Sequence, residues 1–155
     1  WWSINFLCVG TNFGANQFNR ARRSAWYGAT FIATLAALAG FIFSIFPSLW
    51  LDLYTADSEA YVIGALYLAI VAPFYPIFAF GKTLYFASQG TGKMFIPIMG
   101  AITRLSIVVI FGLVCISLEL DIKFLFSIIA LGMSSVGLIL FINMFGPVWN
   151  PEKNT

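Results

Sequence analysis

Residues 24–51 run without a single charged side chain. A membrane-spanning helix needs about 20 mostly apolar residues, and this stretch exceeds that. It shows no polar stripe, the mark of an amphipathic helix at the surface of a soluble bundle. Three later segments repeat the pattern. Residues 60–81 carry no charge and stay apolar to Ser88; 94–118 hold only Arg104; 124–146 hold none. The opening residues 1–13 are also apolar, half a span or a little more. The fold expected is all-α: a polytopic transmembrane helix bundle of about four and a half spans. Its helices are expected at 24–51, 59–88, 94–118 and 123–146, with 1–13 as the end of a further helix.

Composition closes off the alternatives. Hydrophobic residues make up 61% of the chain and charged residues 9%, against about a quarter charged in soluble domains. A soluble fold of this size could not hide that surface, because its own outer faces must meet water. Membrane lipid is therefore the expected surrounding. A net charge of +2 gives no reason to expect nucleic acid as a partner. The chain has no histidine, which removes the commonest general base and metal ligand. No catalytic triad, paired acids or metal-ligand set is visible. Gly90-Thr91-Gly92-Lys93 fails as a phosphate loop, since Ala87 stands where a glycine is needed and Met94 follows the lysine. No enzyme, cofactor or metal site is expected. Cys8 and Cys115 are read as free, buried, small hydrophobes. No basic segment precedes Trp1-Trp2-Ser3-Ile4 and no small-residue cleavage site follows. The start is not a signal peptide; the chain is expected to begin inside a helix of a longer protein.

The connections carry the charges, and they are short enough to make consecutive helices antiparallel neighbours. In the 52–59 connection, Asp57 or Ser58 could cap the following helix. One side of the membrane receives Arg20, Arg22, Arg23, Lys93 and Lys153 with Glu152. The other receives Asp52, Asp57, Glu59, Glu119 and Asp121 with Lys123. Excess Lys and Arg marks the cytoplasmic side, so the 14–23 loop and the C-terminus are expected there, in a cell (inner or plasma) membrane.

Two cations fall inside the apolar spans. Lys82 lies eight residues before Gly90, and Arg104 lies eleven after Lys93. At about 1.5 Å per residue, both sit roughly 12–16 Å from the same end, on antiparallel neighbours. A charge at that depth costs several kcal/mol unless it meets water, a cavity or a carboxylate. Two readings remain open: a role in a wet cavity, or side chains that snorkel toward the headgroups. Pro73 and Pro76 should kink or break their helix. A bent helix can line a binding cavity and move in gating, or be a fixed packing feature. Gly10, Gly14, Gly28, Gly132 and Gly137 suggest close helix contacts.

Val9-Gly10-Thr11-Asn12-Phe13-Gly14-Ala15-Asn16, followed by Asn19-Arg20-Ala21-Arg22-Arg23, resembles a signature of the multidrug and toxic-compound extrusion (MATE) family. Leu84 to Met94, then Pro97 and Arg104-Leu105, resembles that family's second-half signature, and Ala56-Asp57-Ser58-Glu59 matches in place and spacing. The resemblance covers nearly the whole chain. It implies a twelve-helix, two-lobe secondary antiporter that exports small organic, often cationic, compounds in exchange for Na+ or H+. The chain would supply the end of helix 8 and helices 9–12 of the second lobe, with helix 7 and the first lobe lying outside it. One departure stands out. Some members carry a cation-binding aspartate in helix 10, yet residues 60–88 contain no Asp or Glu, and the aligned position falls near Phe78. The coupling carboxylate is then expected outside this chain.

Three functions compete. An antiporter for amphipathic organic compounds would use Tyr75, Phe78 and Tyr85 as aromatic surface, with Lys82 and Arg104 tuning the cavity's charge. A flippase for a lipid-linked or anionic substrate would use the two cations directly. A structural membrane subunit would need neither.

Overall fold

A computed structural model describes residues 2–149; the side chains of Trp2 and Ser3 lie outside that description, as do Glu152 and Lys153 of the tail. The described residues form helices and connections with no strand. In order these are α1 (Trp2–Gly14), α2 (Phe18–Ile45), the single-turn α3 (Ser48–Leu51), α4 (Ser58–Val71), a 3-10 turn (Ala72–Phe74), α5 (Tyr75–Thr91), α6 (Phe95–Ser117) and α7 (Ile122–Asn143). Four segments are long and apolar enough to cross a membrane: Phe18–Ile45, Ser58–Thr91, Phe95–Ser117 and Ile122–Asn143.

Helix ends follow local chemistry and shift several expected bounds. Helix α2 starts at Phe18, so Arg20, Arg22 and Arg23 ride on its first turns instead of in a loop. The α1–α2 connection is only Ala15 to Gln17, turned by Asn16 at φ 57°, a left-handed position that asparagine tolerates. Helix α2 stops at Ile45, short of the expected Leu51. Pro47 has no N–H to offer and disfavours helical backbone at Phe46, which adopts φ −121°, ψ 69°. Asp57 caps α4 by accepting from the Glu59 N–H at 3.0 Å. Gly92, at φ 69°, closes α5, a left-handed helix stop that glycine takes without penalty.

Helices α5 and α7 pack at the centre. Helix α6 packs on α7; α1 and α2 cover the other side of α5; α4 lies against α7 and α2. Small residues let the backbones approach. Ala21, Ala25 and Ala29 form a fully buried stripe on α2, in one cluster with Val9 of α1 and Leu84 and Ala87 of α5. Trp26 joins α2 to both central helices through ring contacts with Phe80 and Phe141. Outward faces carry exposed Leu105, Leu113, Ile116 and Leu138, the surface a lipid environment accommodates. Arg22 stacks over Phe145, just beyond α7, at 5.5 Å, so the arginine end of α2 and the last turn of α7 share one end of the bundle.

Two sequence expectations need correction. Cys8 is exposed, while Cys115 is buried: Cys8 sits on the α1 face that opens into a groove toward α2. Gly14 has no neighbour within 4 Å of the place a Cβ would occupy, because α1 ends there and the chain turns away. The other glycines singled out do lie at contacts, notably Gly137, where a Cβ would stand 2.5 Å from the Ile77 carbonyl oxygen.

Candidate functional site

The site is built around the break between α4 and α5. Pro73 and Pro76 lack the N–H groups that would bond the carbonyls of Ala69 and Ala72 in regular α-helix. The chain answers with a 3-10 turn, in which the Tyr75 N–H donates to the Ala72 carbonyl. Gly40 of α2 makes room for this turn: a Cβ there would lie 2.5 Å from the Ala72 oxygen. The bend is thus wedged against bare backbone.

One and a half turns beyond Pro76, α5 crosses α7 at Gly81 and Gly137. A Cβ on Gly81 would stand 2.7 Å from the Gly137 Cα. Lys82 follows immediately, so the tight crossing fixes where its side chain leaves the helix. Arg104 is placed by a second close approach. Gly132 of α7 leaves space for the Arg104 stem, whose Cγ lies 3.6 Å from the position of a Cβ on that glycine.

These crossings bring Lys82 and Arg104 to one cavity of about 170 Å³, walled by Phe78, Tyr85, Ala101 and Val136. Both cations lie over aromatic rings. The Arg104 guanidinium carbon is 4.8 Å from the Phe78 ring centre. The Lys82 Nζ is 5.6 Å from that of Tyr85 and 5.4 Å from that of Phe86. Such contacts contribute roughly 0.5–2 kcal/mol each, less than the several kcal/mol that a charge costs in the membrane interior. The ion pair seen among the described residues is between Lys123 and Asp121, exposed at the opposite end from the arginines. No described carboxylate pairs with Lys82 or Arg104. The cavity is therefore electropositive, with aromatic faces compensating part of the charge.

Phe78, Lys82 and Tyr85 share one face of α5 at helical spacing, and the cavity lies along it. Tyr75, one turn earlier, belongs elsewhere. It does not line the cavity and packs, with Tyr67 and Phe78, against the cluster of Val71, Phe126 and Met133. Phe86 and Val136 were not singled out from sequence: Phe86 lies four residues after Lys82 on the same helix, a spacing that marks it, whereas Val136 enters through the α5–α7 crossing, which no local pattern marks. Among the described residues no cluster of His, Cys, Asp or Glu could hold a metal ion.

A bundle of long apolar helices, one broken by prolines beside a pair of cations at one cavity, has the form of a polytopic membrane protein. The family model described as MatE matches residues 7–114, about seven-tenths of the chain. The chain belongs to the MatE family and is a MATE-type transporter protein of the membrane, in agreement with the residue resemblance. The match takes in both prolines, Lys82 and Arg104 but leaves out α7 and hence Val136. No curated protein and no solved structure matches the chain.

Proposed function

We propose that this chain forms the end of helix 8 and helices 9–12 in the second lobe of a secondary antiporter. The complete protein exports small organic, often cationic, compounds in exchange for Na+ or H+. The observation that carries this reading is the shared Lys82–Arg104 cavity, placed beside the proline break. A broken helix supplies a hinge for alternating access. The two cations then serve as counter-charges for carboxylates supplied by the remainder of the protein, pairing with them in one state and releasing them in the other. Phe78 and Tyr85 offer aromatic surface to the organic part of a substrate. The arginine end of α2 faces the cytoplasm of a cell (inner or plasma) membrane, following the positive-inside rule; the C-terminal residues Glu152 and Lys153, which join that count, lie outside the described residues.

A second reading draws on the same cations. With no described carboxylate paired to either, they suit an anionic or lipid-linked substrate better than a cationic one. The test is efflux of a fluorescent organic cation from liposomes holding the full-length protein, with Na+ and H+ gradients imposed separately. Efflux driven by either gradient supports the antiporter and names its ion. Absence of efflux under both, with folded protein verified, favours the anionic substrate.

A further inference from the structure

A second, larger cavity lies on the other side of α5. It is a groove of about 630 Å³ between the antiparallel α1 and α2, within the range of about 300–1,000 Å³ typical of small-molecule sites. The pairing register explains its lining. Asn5, Cys8 and Asn12 of α1 line it with Arg20, Ser24 and Gly28 of α2, and Asn5 lies beside Gly28. The groove extends from Arg20 to Ile32, roughly 18 Å along the helix axis.

Its character changes with depth. Arg20 and Arg23 stand at the bundle end where the chain turns from α1 into α2. Phe31, Ile32 and Ile4 form the far, apolar part, and no acidic residue lines it. Between them Asn5 is 7% exposed, and its side-chain nitrogen has no hydrogen-bond partner. A buried amide left in that state is costly, about 1–3 kcal/mol in proteins. Two cations and an apolar floor line the same groove, with the Asn5 side chain between them.

We propose that this groove binds an anionic phospholipid, with the phosphate held by Arg20 and Arg23 and an acyl chain along Tyr27, Phe31 and Ile32. Charge complementarity selects this occupant: an arginine pair at headgroup level recognises phosphate, and the apolar part below it matches a chain entering from the same leaflet. A soluble anion would leave the floor bare. The site is independent of the Lys82 cavity and of the transport reading.

Cys8 lines the groove and is exposed, whereas Cys115 is buried, so thiol labelling reports occupancy. The experiment uses delipidated full-length protein, with any cysteines other than Cys8 replaced, and follows Cys8 modification by a maleimide. Dioleoyl phosphatidylglycerol should slow labelling in a saturable way, while dioleoyl phosphatidylcholine should not. The double variant Arg20→Gln/Arg23→Gln should require about thirtyfold more of the anionic lipid for the same protection, taking about 1 kcal/mol per arginine. Native mass spectrometry of the same samples should show one retained phosphatidylglycerol lost in the double variant. The conservative Arg20→Lys/Arg23→Lys should keep most of the protection, which separates lost charge from misfolding. Equal protection by both lipids, protection by inorganic phosphate or by a fluorescent organic cation, or a Cys8 already shielded without lipid would each overturn the proposal. The last outcome would assign the groove to another part of the protein.

Discussion

The two cavities flanking α5 hold their cations in opposite ways. On the α7 side, Lys82 and Arg104 lie within the spans, and bare backbone fixes the helices around them. On the α2 side, Arg20 and Arg23 stand at the bundle end and the groove is open. At an interface a charge reaches water and costs little; inside a span it costs several kcal/mol. The interior pair of charges is therefore the costlier one for this fold. The interior pair is held by close glycine crossings and aromatic faces, whereas the rim pair needs no such support.

The largest effect that would sharpen this contrast is expected at Gly137. Its Cβ would meet the Ile77 backbone oxygen at 2.5 Å, and backbone cannot swing aside. Gly137→Ala should destabilise the bundle by about 1–3 kcal/mol, the usual scale of overpacking, read as a lower thermal unfolding midpoint and a smaller monodisperse fraction in detergent. Next, Lys82→Met should lower transport by the full-length protein about tenfold, equivalent to about 1.4 kcal/mol on the rate-limiting barrier. Arg20→Gln should change it by less than about twofold, the scale of an exposed charge. Equal losses at the two sites would erase the distinction between them.

The third effect concerns the hinge. Pro76→Ala gives the Ala72 carbonyl an N–H in α register. The variant should unfold later, by about 1 kcal/mol for one recovered hydrogen bond, and transport more slowly. A faster transporter would show the break to be passive packing. The smallest effect is expected in the groove. The nearest atoms a Cβ on Gly28 would meet belong to the side-chain amide of Asn5, at 2.6 Å. Gly28→Ala should cost less than about 1 kcal/mol, because a side chain moves more readily than backbone.

The helices of this fold were legible in the sequence because lipid imposes one rule on every span: a long apolar run with its backbone bonded internally. Helix ends were less so. Arg20 to Arg23 look like a loop because they are charged, yet arginine is a good helix former and the turn needs only Ala15 to Gln17. Pro47, embedded in apolar residues, ends α2 without any change in hydropathy. At the site, the similar depth of Lys82 and Arg104 followed from counting residues, and Tyr75, Phe78 and Tyr85 were named as aromatic surface in the same stretch. Phe78 and Tyr85 line the cavity, whereas Tyr75 does not and packs, like Tyr67, against the cluster of Val71, Phe126 and Met133. Val136 could not be found, for crossings of helices distant in sequence leave no local signal; Phe86, four residues after Lys82 on one helix, was within reach of helical spacing. Asn5, an amide within the apolar opening stretch, is a signal that the sequence does carry.

The central claim is that Lys82 and Arg104 act together in one cavity. Its most direct test is a double-mutant cycle in the full-length protein: Lys82→Met, Arg104→Met and both, each verified as folded, with transport measured in proteoliposomes. Coupled residues predict that each single variant is impaired and that the double is little worse than the more impaired single. Losses that multiply independently, or a folded double variant that transports at the wild-type rate, would contradict it.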